Sequence, residues 1–276
     1  MKNTAARVII TVMSLLTIVA IVVGLFIHVF GGGRLIRRAE TVSEGEAYDR
    51  AYGIGNLFKR SEMISDSMIF DEEVDEIYIE VDAADITVED GDRLSVEYKL
   101  PDVMKPAIEV KKGKLSFVSR LKGPFSPFDM GKGASVEITV PEGTKLDSFS
   151  INLDAGRVSA GSFDTGKFSI NSDAGDMEIE EMKVGSFEIR TDAGNLKISD
   201  LTADRADLSL DAGNVIIRDS VIDFLEAKID AGNIDADDST INSGSCKTDF
   251  GNVSLKGKIG NVKVKSSVGN ASVEGD

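Results

Sequence analysis

The stretch Ser169–Glu181, "SINSDAGDMEIEE", decides the fold once its flanks are read with it. Behind it stands "SINLDAGRVSA"; ahead come "EIRTDAGNLKIS", "SLDAGNVIIRD", "KIDAGNIDADD" and "KTDFGNVSLKG". The aspartates fall at Asp154, Asp173, Asp192, Asp211, Asp230 and Asp249, nineteen residues apart. Two residues after each stands a glycine: Gly156, Gly175, Gly194, Gly213, Gly232 and Gly251.

Within one repeat, Phe168, Ile170, Ser172 and Ala174 share a parity that Met177 and Ile179 resume after Gly175. A two-residue period means strand, a turn at glycine, and strand again. Across repeats, Phe149, Phe168, Phe187, Ala206, Leu225 and Gly244 form one apolar column, and Ile151, Ile170, Ile189, Leu208, Ala227 and Cys246 a second. After the turn, Val158, Met177, Leu196, Val215, Ile234 and Val253 form a third. One coil cannot bury its own apolar face, but coils stacked about 4.8 Å apart build a continuous core and backbone ladder. A one-residue slip would turn every inward side chain to water, which explains the strict spacing. The expected fold is all-β: a single parallel β-solenoid (β-helix) with about 19 residues per coil, preceded by one N-terminal transmembrane helix.

Earlier sequence follows the plan less regularly. "EIYIEVDAADITVEDGDRLSVEYKL" alternates around Asp82-Ala83-Ala84-Asp85, and "KGKLSFVS" and "ASVEITVPEGTKLDSFSINLDAG" continue it. Between them, "LKGPFSPFDMGKG" reads as a surface loop, because Pro124 and Pro127 are unsuited to a central strand. Near the end, Ser267-Val268-Gly269-Asn270 repeats the turn at a spacing of eighteen. Lys256, Lys258, Lys263 and Lys265 lie on the last coils, where lysine discourages edge-to-edge aggregation.

The chain has 276 residues and a formal charge of −16, which repels nucleic acid phosphates. Trp is absent and there are 27 glycines, as expected of many tight turns between short strands. The single cysteine, Cys246, excludes an intramolecular disulfide. His28 is the only histidine, so neither a Ser-His-Asp arrangement nor a histidine-based zinc site fits the rest of the chain.

Val8–Phe30, "VIITVMSLLTIVAIVVGLFIHVF", carries no Asp, Glu, Lys or Arg. As a helix it would span roughly 35 Å, enough for a hydrocarbon core of about 30 Å, and its length favours a retained anchor over a signal peptide. Lys2 and Arg7 on one side nearly balance Arg34, Arg37 and Arg38 on the other. The expected organisation is an anchor over residues 1–30, a juxtamembrane linker over 31–70 and the solenoid over 71–276, with the solenoid outside the cytoplasm.

The pattern "VDAADITVED … KGKLSFVS … ASVEITVPEGTKLDSFSINLDAGRVSA", followed by "I-x-x-D-A-G-x-V-x-I" repeats, resembles the bacterial putative-adhesin domains of unknown function. The resemblance runs from about Asp71 to the C-terminus. It implies a β-solenoid behind a membrane anchor, an association with the cell envelope and its stress responses, and no catalytic residues.

The aspartate column admits three readings. In the first, each Asp accepts backbone N–H bonds as an Asx-turn while the glycine supplies a positive φ; Asn195, Asn214, Asn233 and Asn252 tolerate left-handed geometry in the same corner. In the second, Asp173, Asp192, Asp211 and Asp230 form a Ca²⁺ ladder. Each turn offers one carboxylate where Ca²⁺ takes six to eight oxygens, so a dedicated metal site is disfavoured. In the third, paired carboxylates act on a polysaccharide; recurrence in every coil argues for architecture instead. Cys246, in an inward column, reads as a buried, inert thiol.

The functional expectation is a non-catalytic binding, adhesion or envelope-stress module without a cofactor. Its partner would be an envelope or surface protein or polysaccharide, met at the Asp/Asn edge and outward positions such as Glu178, Glu188 and Lys197. A polysaccharide-active enzyme and a cytoplasm-facing regulatory partner are the alternatives.

Overall fold

A computed structural model describes residues 61–121 and 133–275. The proposed anchor, the linker up to residue 60 and most of the Pro124/Pro127 loop lie outside these residues. Among the described residues no helix is long and apolar enough to cross a membrane.

The repeat region is an all-β solenoid of about seven turns with roughly nineteen residues per turn. Each turn joins a long strand to a short one. The long strands are β8 (Lys145–Ala155), β10 (Asp164–Ala174), β12 (Lys183–Ala193), β14 (Thr202–Ala212) and β16 (Val221–Ala231). The short ones are β9 (Val158–Gly161), β11 (Met177–Glu180), β13 (Leu196–Ser199) and β15 (Val215–Arg218). β17 (Ile234–Phe250) and β18 (Val253–Val268) run through short and long segments without a break, and β19 (Ala271–Gly275) closes the stack. Pairing is parallel and in register, with Phe149 beside Phe168 beside Phe187, and Ala155 beside Ala174 beside Ala193. Between β17 and β18 the register shifts after Ala236, which accounts for the spacing of eighteen in the last turn.

Inward columns fill the interior. Phe149, Phe168 and Phe187 are fully buried, and the Phe168 and Phe187 rings stack with centroids 5.7 Å apart at 13°. Burying each such side chain contributes about 1.5–3 kcal/mol. Leu146 and Phe149 are both inward although three residues apart, so β8 breaks strict alternation between them.

The N-terminal part departs from a simple succession of coils. It comprises β1 (Met63–Ile69), β2 (Glu76–Ala83), β3 (Asp85–Gly91), β4 (Ser95–Pro101), β5 (Ala107–Lys111), β6 (Lys114–Ser119) and β7 (Ser135–Pro141). β2 pairs with β6 on one side and β8 on the other, while β3 lies between β7 and β9. The β2/β3 layer is therefore inserted between the β6/β7 and β8/β9 layers. β1, β4 and β5 pair antiparallel and close this end, correcting the expectation of a purely parallel fold. Met63–Ile69, assigned to the linker from sequence, is an edge strand on β4. Its residues are largely exposed, so little inward periodicity marks it.

Candidate functional site

The Asp-Ala-Gly corner is a steric device. Gly156, Gly175, Gly194, Gly213, Gly232 and Gly251 have φ between 143° and 154°. A Cβ at Gly194 would fall 1.9 Å from the carbonyl oxygen of Gly175, and one at Gly213 only 1.7 Å from that of Gly194. The corners pack backbone to backbone, which requires glycine apart from any preference of φ.

The aspartates do not hold the corner. Asp154, Asp173, Asp192 and Asp211 point outward and are exposed, and among the described residues none accepts a backbone N–H. The Asx-turn expected of them is replaced by an asparagine ladder one step beyond the glycines. Asn195 Oδ1 accepts from the backbone N–H of Asn214 at 3.2 Å and from its Nδ2 at 3.0 Å. Asn214 does the same for Asn233, and Asn233 for Asn252. Asp176 begins the ladder, accepting from the backbone and side chain of Asn195. These bonds hold its carboxyl below the usual carboxylate range. The asparagines are not left-handed. Within the repeats, positive φ at non-glycine residues occurs instead at Ser162, Glu181, Asp200, Asp219 and Asp238, a second corner with the same spacing.

The outward face of the long strands carries charge in columns. Val81 opposite Leu153 and Ala83 opposite Ala155 place Asp82 beside Asp154, extending the aspartate column into the inserted layer. Next to it runs a second column of Asn152, Asn171, Arg190, Ser209, Lys228, Lys247 and Lys265. Lys228 pairs with Asp230 at 3.3 Å and Lys247 with Asp249 at 2.9 Å. Toward the N-terminal end the cations run out, leaving an acidic groove of about 520 Å³. Glu80, Asp82, Asp154, Asp173, Arg190 and Asp192 contribute to its lining. There, loss of water and then the charges of Asp82 and Asp173 push the Asp154 carboxyl above its ordinary value. Tyr78 donates to Glu80 at 2.8 Å and accepts from Asn152 at 2.9 Å; Arg120 also bonds Glu80 and holds its carboxyl low.

The positions singled out on the opposite face, Glu178 and Lys197, form an ion pair between adjacent coils, and Lys197 also reaches Glu180 at 3.3 Å. Glu188, on the long-strand face, pairs with Lys167 at 3.3 Å and with Arg190. Asp173, Asp192, Asp211 and Asp230 stack in one column, but among the described residues no group of three or more His, Cys, Asp or Glu side chains is placed to hold a metal ion. Cys246 is fully buried, and burial pushes its thiol up to about 12.

The basic column and the asparagine ladder escaped the sequence reading. Both were present as residues repeating at nineteen beside the more conspicuous Asp-Ala-Gly.

These features define a β-solenoid whose outward chemistry is distributed along a stack. Residues 74–275 match the Toastrack DUF4097 family, and the chain belongs to it. Its fold is shared with a crystal structure of a "putative adhesin" from Bacteroides fragilis, at 19% identity and a TM-score of 0.56, covering 77% of this chain and 97% of that one. A "putative adhesin" from Parabacteroides distasonis aligns at 18% identity and a TM-score of 0.50, covering 78% and 95%. At these identities the likeness is one of fold. No match was found among curated proteins.

Proposed function

We propose that this protein is a membrane-anchored binding module of the bacterial envelope, acting by presenting its outward faces to a partner rather than by catalysis. The observation that carries the reading is the columnar arrangement of exposed charge. Asp82, Asp154, Asp173 and Asp192 repeat along the stack beside Arg190, giving a ligand with its own repeat a series of equivalent contacts. A single reacting centre would need one local departure from that regularity. The adhesin descriptions of the two fold relatives are compatible with a binding role. The apolar run Val8–Phe30 supports the anchor, and the expected partners are an envelope protein or polysaccharide.

Protease treatment of intact cells carrying a C-terminal tag tests the placement, with lysed cells as control. Loss of the tag in intact cells supports display outside the cytoplasm. Protection until lysis overturns it and favours a cytoplasm-facing regulatory partner.

A further inference from the structure

The two ends of the stack differ. At the N-terminal end the antiparallel strands and the turn Asp102–Met104 close the core, with Met104 only 1% exposed. At the other end, Lys258–Val268 of β18 pairs with Thr240–Phe250 on one side, and no described strand pairs with its other side. Ile259, Val262 and Val264 lie against the core but are only partly buried, while Val268 and Val273 are 53% and 47% exposed.

Elsewhere in the stack cations are met by acids either of an adjacent coil, as Lys167 by Glu188, Lys197 by Glu178, Arg205 by Glu226 and Arg218 by Asp235, or of their own strand, as Lys228 by Asp230 and Lys247 by Asp249. Lys256, Lys258, Lys263 and Lys265 are exposed and make no such pair among the described residues. Lys256 already lies opposite Glu274 of β19, whereas no described strand runs along the open side of Lys258, Lys263 and Lys265 to offer them an acid.

We infer that the Lys258–Val268 edge is a docking site for an extended acidic strand of a partner protein. Its apolar side chains would lie over Ile259, Val262 and Val264, and its carboxylates over Lys263 and Lys265. Strand addition satisfies the free backbone groups, and alternate side chains supply specificity. A lipid surface could meet the lysines but not the edge N–H groups. A second copy joined end to end at this edge would set lysine against lysine, which is costly. A head-to-tail copy would offer β5, where Glu109 is accompanied by Lys111. The inference is independent of the outward-face reading, and either can fail alone.

The test is fluorescence anisotropy of dye-labelled extended peptides titrated with the full-length chain. One peptide has Val at the inward positions and Glu opposite Lys263 and Lys265; its control has Lys at both Glu positions. Two exposed ion pairs give the acidic peptide an advantage of about tenfold. The Lys263→Glu/Lys265→Glu variant reverses the preference, and N-methylation of the edge-facing amides abolishes binding. Equal affinity for the two peptides, an unreversed preference, or no binding overturns the proposal. So does self-association that excludes the peptide, or binding to phosphatidylglycerol vesicles lost in the lysine variant while the peptides stay unbound.

Discussion

Gly194→Ala places a methyl group where two coils touch. Its Cβ would lie 1.9 Å from Gly175 O at a φ of 154°, so both the backbone and the stack must yield. The strained conformation alone costs about 1–3 kcal/mol. Relieving the overlap moves the corner by more than an ångström and weakens three nearby bonds: Gly175 N to Ala193 O at 2.9 Å, Met177 N to Asn195 O at 2.8 Å, and Asn195 N to Asp176 Oδ1 at 3.0 Å. At roughly 1 kcal/mol per bond, the expected loss is about 4–6 kcal/mol in all. Gly143→Ala is the control: its φ is 74°, but a Cβ there meets nothing within 4 Å, so only the left-handed conformation is penalised, by about 1–2 kcal/mol. Native-state hydrogen exchange is the suitable assay, because stacked repeats can open locally and a single unfolding midpoint would blur the effect. Protection of the Gly175 and Met177 amides should fall steeply in Gly194→Ala and little in Gly143→Ala. Equal losses in the two variants would refute the account of the corner.

Other expectations concern the core, the ladder and titration. Phe168→Ala removes the middle ring of the stacked column and should cost about 3–5 kcal/mol in denaturant unfolding. Asn214→Ala interrupts the ladder on both sides and should cost about 1–3 kcal/mol, with increased exchange at the Asn233 amide. Asp154 has a raised folded pKa, so its protonated form favours the fold and that contribution disappears as pH rises through the folded value. Asp154→Asn should therefore raise the unfolding midpoint at neutral pH, with the gain shrinking on acidification; a constant gain would count against the assignment. Cys246 should react with a thiol reagent at neutral pH only after unfolding.

The nineteen-residue period was legible because each coil meets a near copy of itself. Phe149, Phe168 and Phe187 had to align, and the corner glycines had to recur wherever backbones touch. The inserted β2/β3 layer was not legible, because β2 and β6 carry similar strand patterns and alternation does not say which neighbour each strand takes. β1 was missed because a largely exposed edge strand has little inward periodicity. Ser162, Glu181, Asp200, Asp219 and Asp238 hide a second corner because polar residues there resemble any surface turn. The role given to the aspartates belongs largely to the asparagines: an amide can both donate and accept along a stack, whereas a carboxylate only accepts. Asp176 fits that logic at the start of the ladder, where only acceptance is needed.

The account rests on coils being interchangeable units whose surface chemistry is distributed along the stack. Removing Lys183–Leu201 joins Met182 to Thr202, the position paired with Lys183 in the next coil. Small-angle scattering and hydrogen exchange on this variant test the claim most directly. The account predicts a folded chain shortened by about 4.8 Å along the stack, with the flanking coils still protected. Removing Lys183–Asp200, one residue fewer, should instead disrupt the register. Equal disruption by both deletions would contradict the account.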